Sequence, residues 1–274
     1  RIQSEIYSAQ GRYTDAVGAL ERAIKLISRF EGENGARTAP FKIDMARLLM
    51  AKGDLVGAES YFSKAMPVIE SVFGDDHLFT ARARTSMAEL NLLQGRHMRA
   101  ENLIRKVLAV QERAYGRKHH FLAPAWIVQA AVHRARGEYA KSEALLQSAL
   151  TAIREGLDSE DPLAGKVLGQ LGETYILEED YGRAKDAFEK AQDILTKRFG
   201  PETHQTAMVL NGLAKIRVHE GEYSEAEKLS RTALERLTSV LSESHPDILN
   251  ILDTMAQIQV AVESAATGSQ GQTG

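Results

Sequence analysis

Apolar side chains return along this chain at intervals of three and four residues, the spacing of helices with one buried face. That pattern itself returns every 42 residues. The stretch "QGRYTDAVGALERAI" at 10–24 comes back as "KGDLVGAESYFSKAM", "QGRHMRAENLIRKVL", "RGEYAKSEALLQSAL" and "EGEYSEAEKLSRTAL". A fixed period of this length marks an array of like elements. Counting from Gly11, the steps land on Gly53, Gly95, Gly137, Glu179 and Gly221. Glycine tolerates positive φ, so the anchor reads as a turn between two helices. Five residues on stand Ala16, Ala58, Ala100, Ser142, Ala184 and Ala226, small enough to let neighbouring helices approach. Nine residues on stand Leu20, Phe62, Ile104, Leu146 and Phe188, with Ser230 breaking the series.

The segment before each turn repeats too, through Met45-Ala46, Met87-Ala88, Gln129-Ala130, Leu171-Gly172, Leu213-Ala214 and Met255-Ala256. Between repeats lie "FGDDHLFTA", "YGRKHHFLA", "LDSEDPLAG", "FGPETHQTA" and "LSESHPDIL", rich in loop formers. Five of the six prolines fall in these connectors or in the first helical turn after them, where proline is tolerated. Pro67 falls inside a second helix, which predicts a kink or an early end there, since interior proline costs about 3 kcal/mol. The pattern predicts five complete repeats (39–80, 81–122, 123–164, 165–206 and 207–248), a partial one over 1–38, a terminal helix over 249–263 and a flexible tail over 264–274. No segment alternates with the period of a strand.

Composition narrows the chemistry. The formal charge of −3, from 34 basic and 37 acidic residues, gives no basic excess for nucleic acid. No apolar run reaches the roughly 18–20 residues of a membrane span. The absence of cysteine removes disulfides, thiolate metal sites and cysteine nucleophiles. No signal-peptide profile is present, so the cytoplasm is the default location. The repeat pattern is already under way at Arg1, so the chain reads as a piece of something longer.

In its residues the array resembles the tetratricopeptide repeat, and its 42-residue period with a "GxxHxxTA"-like connector resembles the variety found in kinesin light chains and bacterial relatives. The resemblance rests on Gly53, Leu55, Ala58, Phe62 and Ala65, on Gly137, Tyr139, Leu146 and Ala149, and on Gly221, Tyr223, Ala226 and Ala233. The connector motif is carried by Gly74, His77, Thr80 and Ala81, and less fully by Gly116 and His119. Departures at Gln129, Ser142 and Glu179 mark the repeats 123–164 and 165–206 as locally irregular. What the resemblance implies is an all-α right-handed superhelical solenoid of stacked antiparallel helix pairs, engaged in protein–protein interaction.

The resemblance also implies that the first helix of each pair lines a concave groove. The positions so assigned to the groove include Arg47, Arg82, Thr85, Glu89, Ile127, Arg134, Lys166, Glu173, Asn211, Lys215, Asn250 and Asp253. Five of these are basic and three acidic. Guanidinium groups grip carboxylates, and asparagine can pair with peptide backbone. The expected ligand is therefore an extended protein segment bearing some acidic residues, although the same side chains also suit an ordinary solvated face.

Recurrent histidines at His77, His119 and His245, with His120 and His204 nearby, invite a metal reading. Stacked helices lie about 8–10 Å apart, too far for equivalent residues to share one ion with ligands at about 2 Å, so structural or capping roles are expected instead. Trp126 takes a position filled elsewhere by Leu168, Leu210 and Leu252, and is expected in the core. No phosphate loop, metal cluster or nucleophile setting is found, so neither enzymatic activity nor a cofactor is expected. Two alternatives stay open: a regulatory or targeting arm of a larger enzyme or receptor, and self-assembly into a homo-oligomer through the terminal helix.

Overall fold

Helix follows helix because the sequence supplies long amphipathic stretches and closes each with a residue able to reverse the chain. In the computed structural model, residues 2–9, 12–158, 160–243 and 245–270 are described. They form α1 (Ile2–Ala9), α2 (Tyr13–Glu31), α3 (Thr38–Lys52), α4 (Leu55–Phe73), α5 (Leu78–Leu93), α6 (His97–Tyr115), the 3₁₀ turn η1 (His120–Leu122), α7 (Ala123–Ala135), α8 (Tyr139–Gly156), α9 (Pro162–Leu177), α10 (Tyr181–Phe199), α11 (His204–His219), α12 (Tyr223–Thr238) and α13 (Pro246–Gln270). No strand occurs among the described residues. The chain forms two compact units, Arg1–Ala152 and Ile153–Gly274.

Turns between paired helices share one geometry. Gly53, Gly95, Gly137 and Gly221 have φ of 91°, 71°, 73° and 77°. In each, the next residue donates its N–H to a carbonyl five residues back, as Asp54 does to Leu49 at 2.9 Å and Glu222 to Arg217 at 2.9 Å. This closes the orphan carbonyls at the helix end. Glu179 adopts the same left-handed form at φ 59°, and Asp180 makes the same bond to Tyr175. Gly11, the first anchor, lies outside the described residues.

The connectors repeat as well. Gly32, Gly74, Gly116 and Gly200 have φ of 79–85° with ψ of 167–169°, a conformation open essentially to glycine alone. His77 Nδ1 then accepts the backbone N–H of Phe79 at 3.1 Å, capping α5. His119 does the same for Phe121 at 3.2 Å and His245 for Asp247 at 3.1 Å. Asp161 and Thr203 fill the equivalent places before α9 and α11. Thr80 completes the motif by donating its hydroxyl to the Gly74 carbonyl at 2.8 Å.

Small residues sit where helices touch. Ala16, Ala58, Ala100, Ser142, Ala184 and Ala226 have no exposed surface. In the N-terminal unit Phe62 is fully buried among Ala46, Ala58 and Leu90, and burying such a side chain contributes about 1.5–3 kcal/mol. In the C-terminal unit Phe188 wedges toward two glycines: a Cβ on Gly172 or Gly212 would come within 2.7 or 2.3 Å of its ring. Trp126 is buried, as its position suggested.

Two expectations change. Of the kink or early end expected at Pro67, the early end does not occur: helix α4 runs through to Phe73. Pro67 and Ser63, whose carbonyl loses its helical donor to the proline, are both exposed residues, while Phe62, Ala65, Met66 and Ile69 anchor the helix on both sides in the core. The terminal helix extends beyond 263 to Gln270, into the stretch read as tail; Ala265 and Ala266 favour helix. Residues 271–274 lie outside the described residues. Along α13, Ile251 and Ile258 are buried, whereas Leu252 and Val260 are exposed.

Candidate peptide-binding face

First helices α3 and α5 of the N-terminal unit bring two of the expected residues together. Arg47 and Arg82 are exposed and line one small hollow with Ile43, Asp44, Phe79, Ala83 and Ser86. Neither guanidinium has an ion-pair or hydrogen-bond partner among the described residues. The apolar floor is held by packing, since Ile43 and Ala83 belong to the cluster around Phe62 and Phe79 packs against it. Phe79 and Ala83 lie off the first-helix positions that the repeat assigns to the groove; the only sequence signal for Phe79 is its place two residues after the connector histidine.

Two further candidates in this unit are closed to a ligand. Thr85 is buried and donates to the Ala81 carbonyl at 3.1 Å; Ile127 is 5% exposed and packs in the core. Glu89 and Arg134 are half-buried and engaged in contacts of their own.

A buried cation supports the same helix. Arg84, 5% exposed, donates to Glu70 of α4 at 2.7 Å, to the Asp75 carbonyl at 3.1 Å and to the Asp75 carboxylate. Burial disfavours its charge, yet these acceptors hold it above the ordinary arginine range. The hydrogen bond from Arg84 in turn lowers the Asp75 carboxyl. Lys42, one repeat earlier, reaches the Glu33 carbonyl at 2.5 Å. Both tie a first helix to the connector before it.

In the C-terminal unit the charges are largely spent on each other. Lys215 of α11 lies 3.2 Å from the Glu173 carboxylate of α9. Lys166 is exposed but engaged. Asp253 is exposed and accepts from Gln257 at 2.8 Å, while half-buried Asn250 accepts the Thr254 hydroxyl on its carbonyl at 3.0 Å. Asn211 has no exposed surface, and neither atom of its amide has a hydrogen-bond partner.

The histidines serve the connectors. His204 Nε2 lies 2.6 Å from the Asp247 carboxylate, and the ring centroids of His204 and His245 are 5.7 Å apart. Burial lowers the His245 imidazole's affinity for a proton, opposed by Asp247. No group of three potential metal ligands is assembled among the described residues, and no described helix is long and apolar enough to cross a membrane.

With this geometry, known proteins can be compared. The tetratricopeptide repeat family model matches residues 41–113, 85–155, 121–197 and 205–264. No curated protein sequence matches the chain. Among solved structures, nearly identical TPR-like repeats of a putative kinesin light chain from Podosopora anserina share 18% identity over 71% of this chain and 92% of that one, with a TM-score of 0.51. BtubC (BKLC) from P. vanneervenii shares 16% identity over 93% of each chain, at TM-score 0.51. A Rap protein complexed with Competence and Sporulation Factor shares 15% identity over 95% of this chain and 74% of that one, at TM-score 0.64. These likenesses fix an all-α solenoid of helix pairs, and with four matches over most of its length the chain belongs to the tetratricopeptide repeat family.

Proposed function

We propose that this chain is a non-catalytic scaffold that holds a segment of another protein, carrying at least one carboxylate beside an apolar side chain, against α3 and α5. Proteins of this family are in general non-catalytic interaction scaffolds. The observation that carries the finer reading is the pair of exposed, unpaired guanidiniums of Arg47 and Arg82 beside the apolar floor of Ile43, Phe79 and Ala83. A carboxylate there gains charge-assisted hydrogen bonds, and Asp44, the carboxylate that lines the same hollow, is engaged in a contact of its own.

The test uses a fluorescein-labelled peptide of alternating Leu and Asp, followed by anisotropy. We expect the wild type to bind it and an Arg47→Glu/Arg82→Glu variant of unchanged helicity to bind about tenfold more weakly or worse, a difference of about 1.4 kcal/mol. Equal binding by the two proteins, or none by the wild type up to about 1 mM, a limit near 4 kcal/mol of binding, overturns the reading.

A further inference from the structure

The connector before α5 belongs to the proposed site as well as to the fold. His77 Nδ1 accepts the Phe79 N–H at 3.1 Å, and its ring lies 5.0 Å from that of Phe73. Phe79 and, one turn later, Arg82 line the pocket. The cap works only while Nδ1 is unprotonated, because an imidazolium has two donors and no acceptor. Protonation also places a positive charge at the positive end of the helix dipole. Histidine is the side chain that ordinarily gains this charge between about pH 8 and pH 5.

The neighbouring charges are otherwise engaged. Asp75 is held by Arg84 of α5, which also grips Glu70 of α4, and Asp76 is held by Arg113 of α6 at 2.7 Å. The other unit supplies an internal contrast: before α9 the same place is taken by Asp161, whose carboxylate accepts the Leu163 N–H at 2.8 Å, and before α11 by Thr203. Neither of those caps is an imidazole.

We propose that His77 is a proton-operated latch on the peptide-binding face: acidification uncaps α5, loosens its first turn, displaces Phe79 and Arg82, and releases the bound segment. This rests on the reading of Arg47 and Arg82 given above. His77 is a positioning residue, acting through Phe79 and Arg82. His119 repeats the arrangement one repeat later, capping the chain before α7 through Phe121 and stacking on Tyr115 at 5.0 Å.

The sign of the effect separates the latch from bulk electrostatics. Protonating surface histidines makes the protein more positive and by itself strengthens binding of an acidic peptide. The latch weakens it. The Leu-Asp peptide is titrated at about pH 7.5 and about pH 5.5, where aspartate stays ionised, against wild type and His77→Asn. Asparagine caps as well as aspartate and does not titrate.

We expect wild-type affinity to fall about fivefold on acidification, as for loss of one N-cap, while His77→Asn holds its affinity. Equal losses in both proteins, or tighter wild-type binding in acid, overturn the latch. Hydrogen exchange over residues 79–83, corrected for the intrinsic pH dependence, provides a readout without ligand. If the peptide binds neither protein at pH 7.5, the binding reading fails and exchange decides the latch: acid-induced exposure confined to wild type supports it, and identical exposure in both proteins overturns it.

Discussion

Asn211 gains nothing from its surroundings in this structure. It is fully buried with both amide atoms unpaired, and Ser230, in the same repeat, is fully buried with an unpaired hydroxyl. At the repeat position of Asn211 the chain elsewhere places Ile43, Thr85, Ile127, Gly169 and Asp253, so the fold does not require an amide there. Leaving a buried polar group unsatisfied costs about 1–3 kcal/mol. Asn211→Val removes both orphan groups with a modest gain in volume and little change in helix propensity. We expect it to raise the unfolding free energy by about 1–2 kcal/mol in urea titration. A loss of stability instead would show that the site is too tightly packed to accept a branched carbon.

Among elements, the turn between α9 and α10 is the one that runs against its own residue. Glu179 holds φ 59° where four sister turns use glycine, and a side chain in that region costs about 1–2 kcal/mol. The bond from Asp180 to Tyr175 forms all the same, so packing of α9 on α10 imposes the turn. Glu179→Gly relieves the strain but adds chain entropy to the unfolded state, and a net gain of about 1 kcal/mol should appear as a higher melting temperature with unchanged helicity. No gain would mean that the entropy term cancels the strain. This irregularity was legible in the sequence, as were the turns, the small contact residues and the connector motif, because each is dictated by backbone geometry at a fixed repeat position. Pro67 was not, since tolerance of its missing donor depends on which side of α4 faces water. Nor was burial on the first helices: the repeat positions put Thr85, Ile127 and Asn211 on the same face as Arg82, but burial is decided by how closely the neighbouring helices approach.

For the molecule as a whole, the sequence suggests a weakly basic face spread over all repeats, and the structure redistributes it. Lys215 is neutralised by Glu173, Lys166 and Arg134 are engaged, and Arg47 and Arg82 stand unpaired. Recognition of a carboxylate should therefore be a property of the N-terminal unit, while the Lys215–Glu173 pair of the C-terminal unit holds α11 to α9. Arg82→Glu and Lys215→Glu each change the net charge by the same amount, so long-range attraction for an acidic peptide is reduced equally in both. Only local contact distinguishes them. We expect Arg82→Glu to weaken the Leu-Asp peptide about fivefold or more, with little change in stability at an exposed position. Lys215→Glu should leave affinity within about twofold but destabilise the protein by about 1–2 kcal/mol, because it sets two carboxylates against each other in a half-buried contact. Paired binding and urea titrations of the two variants check both halves. If Lys215→Glu weakens the peptide as strongly as Arg82→Glu, either net charge governs binding or the ligand reaches α11, and the contact assigned to Arg47 and Arg82 is no longer specific to them.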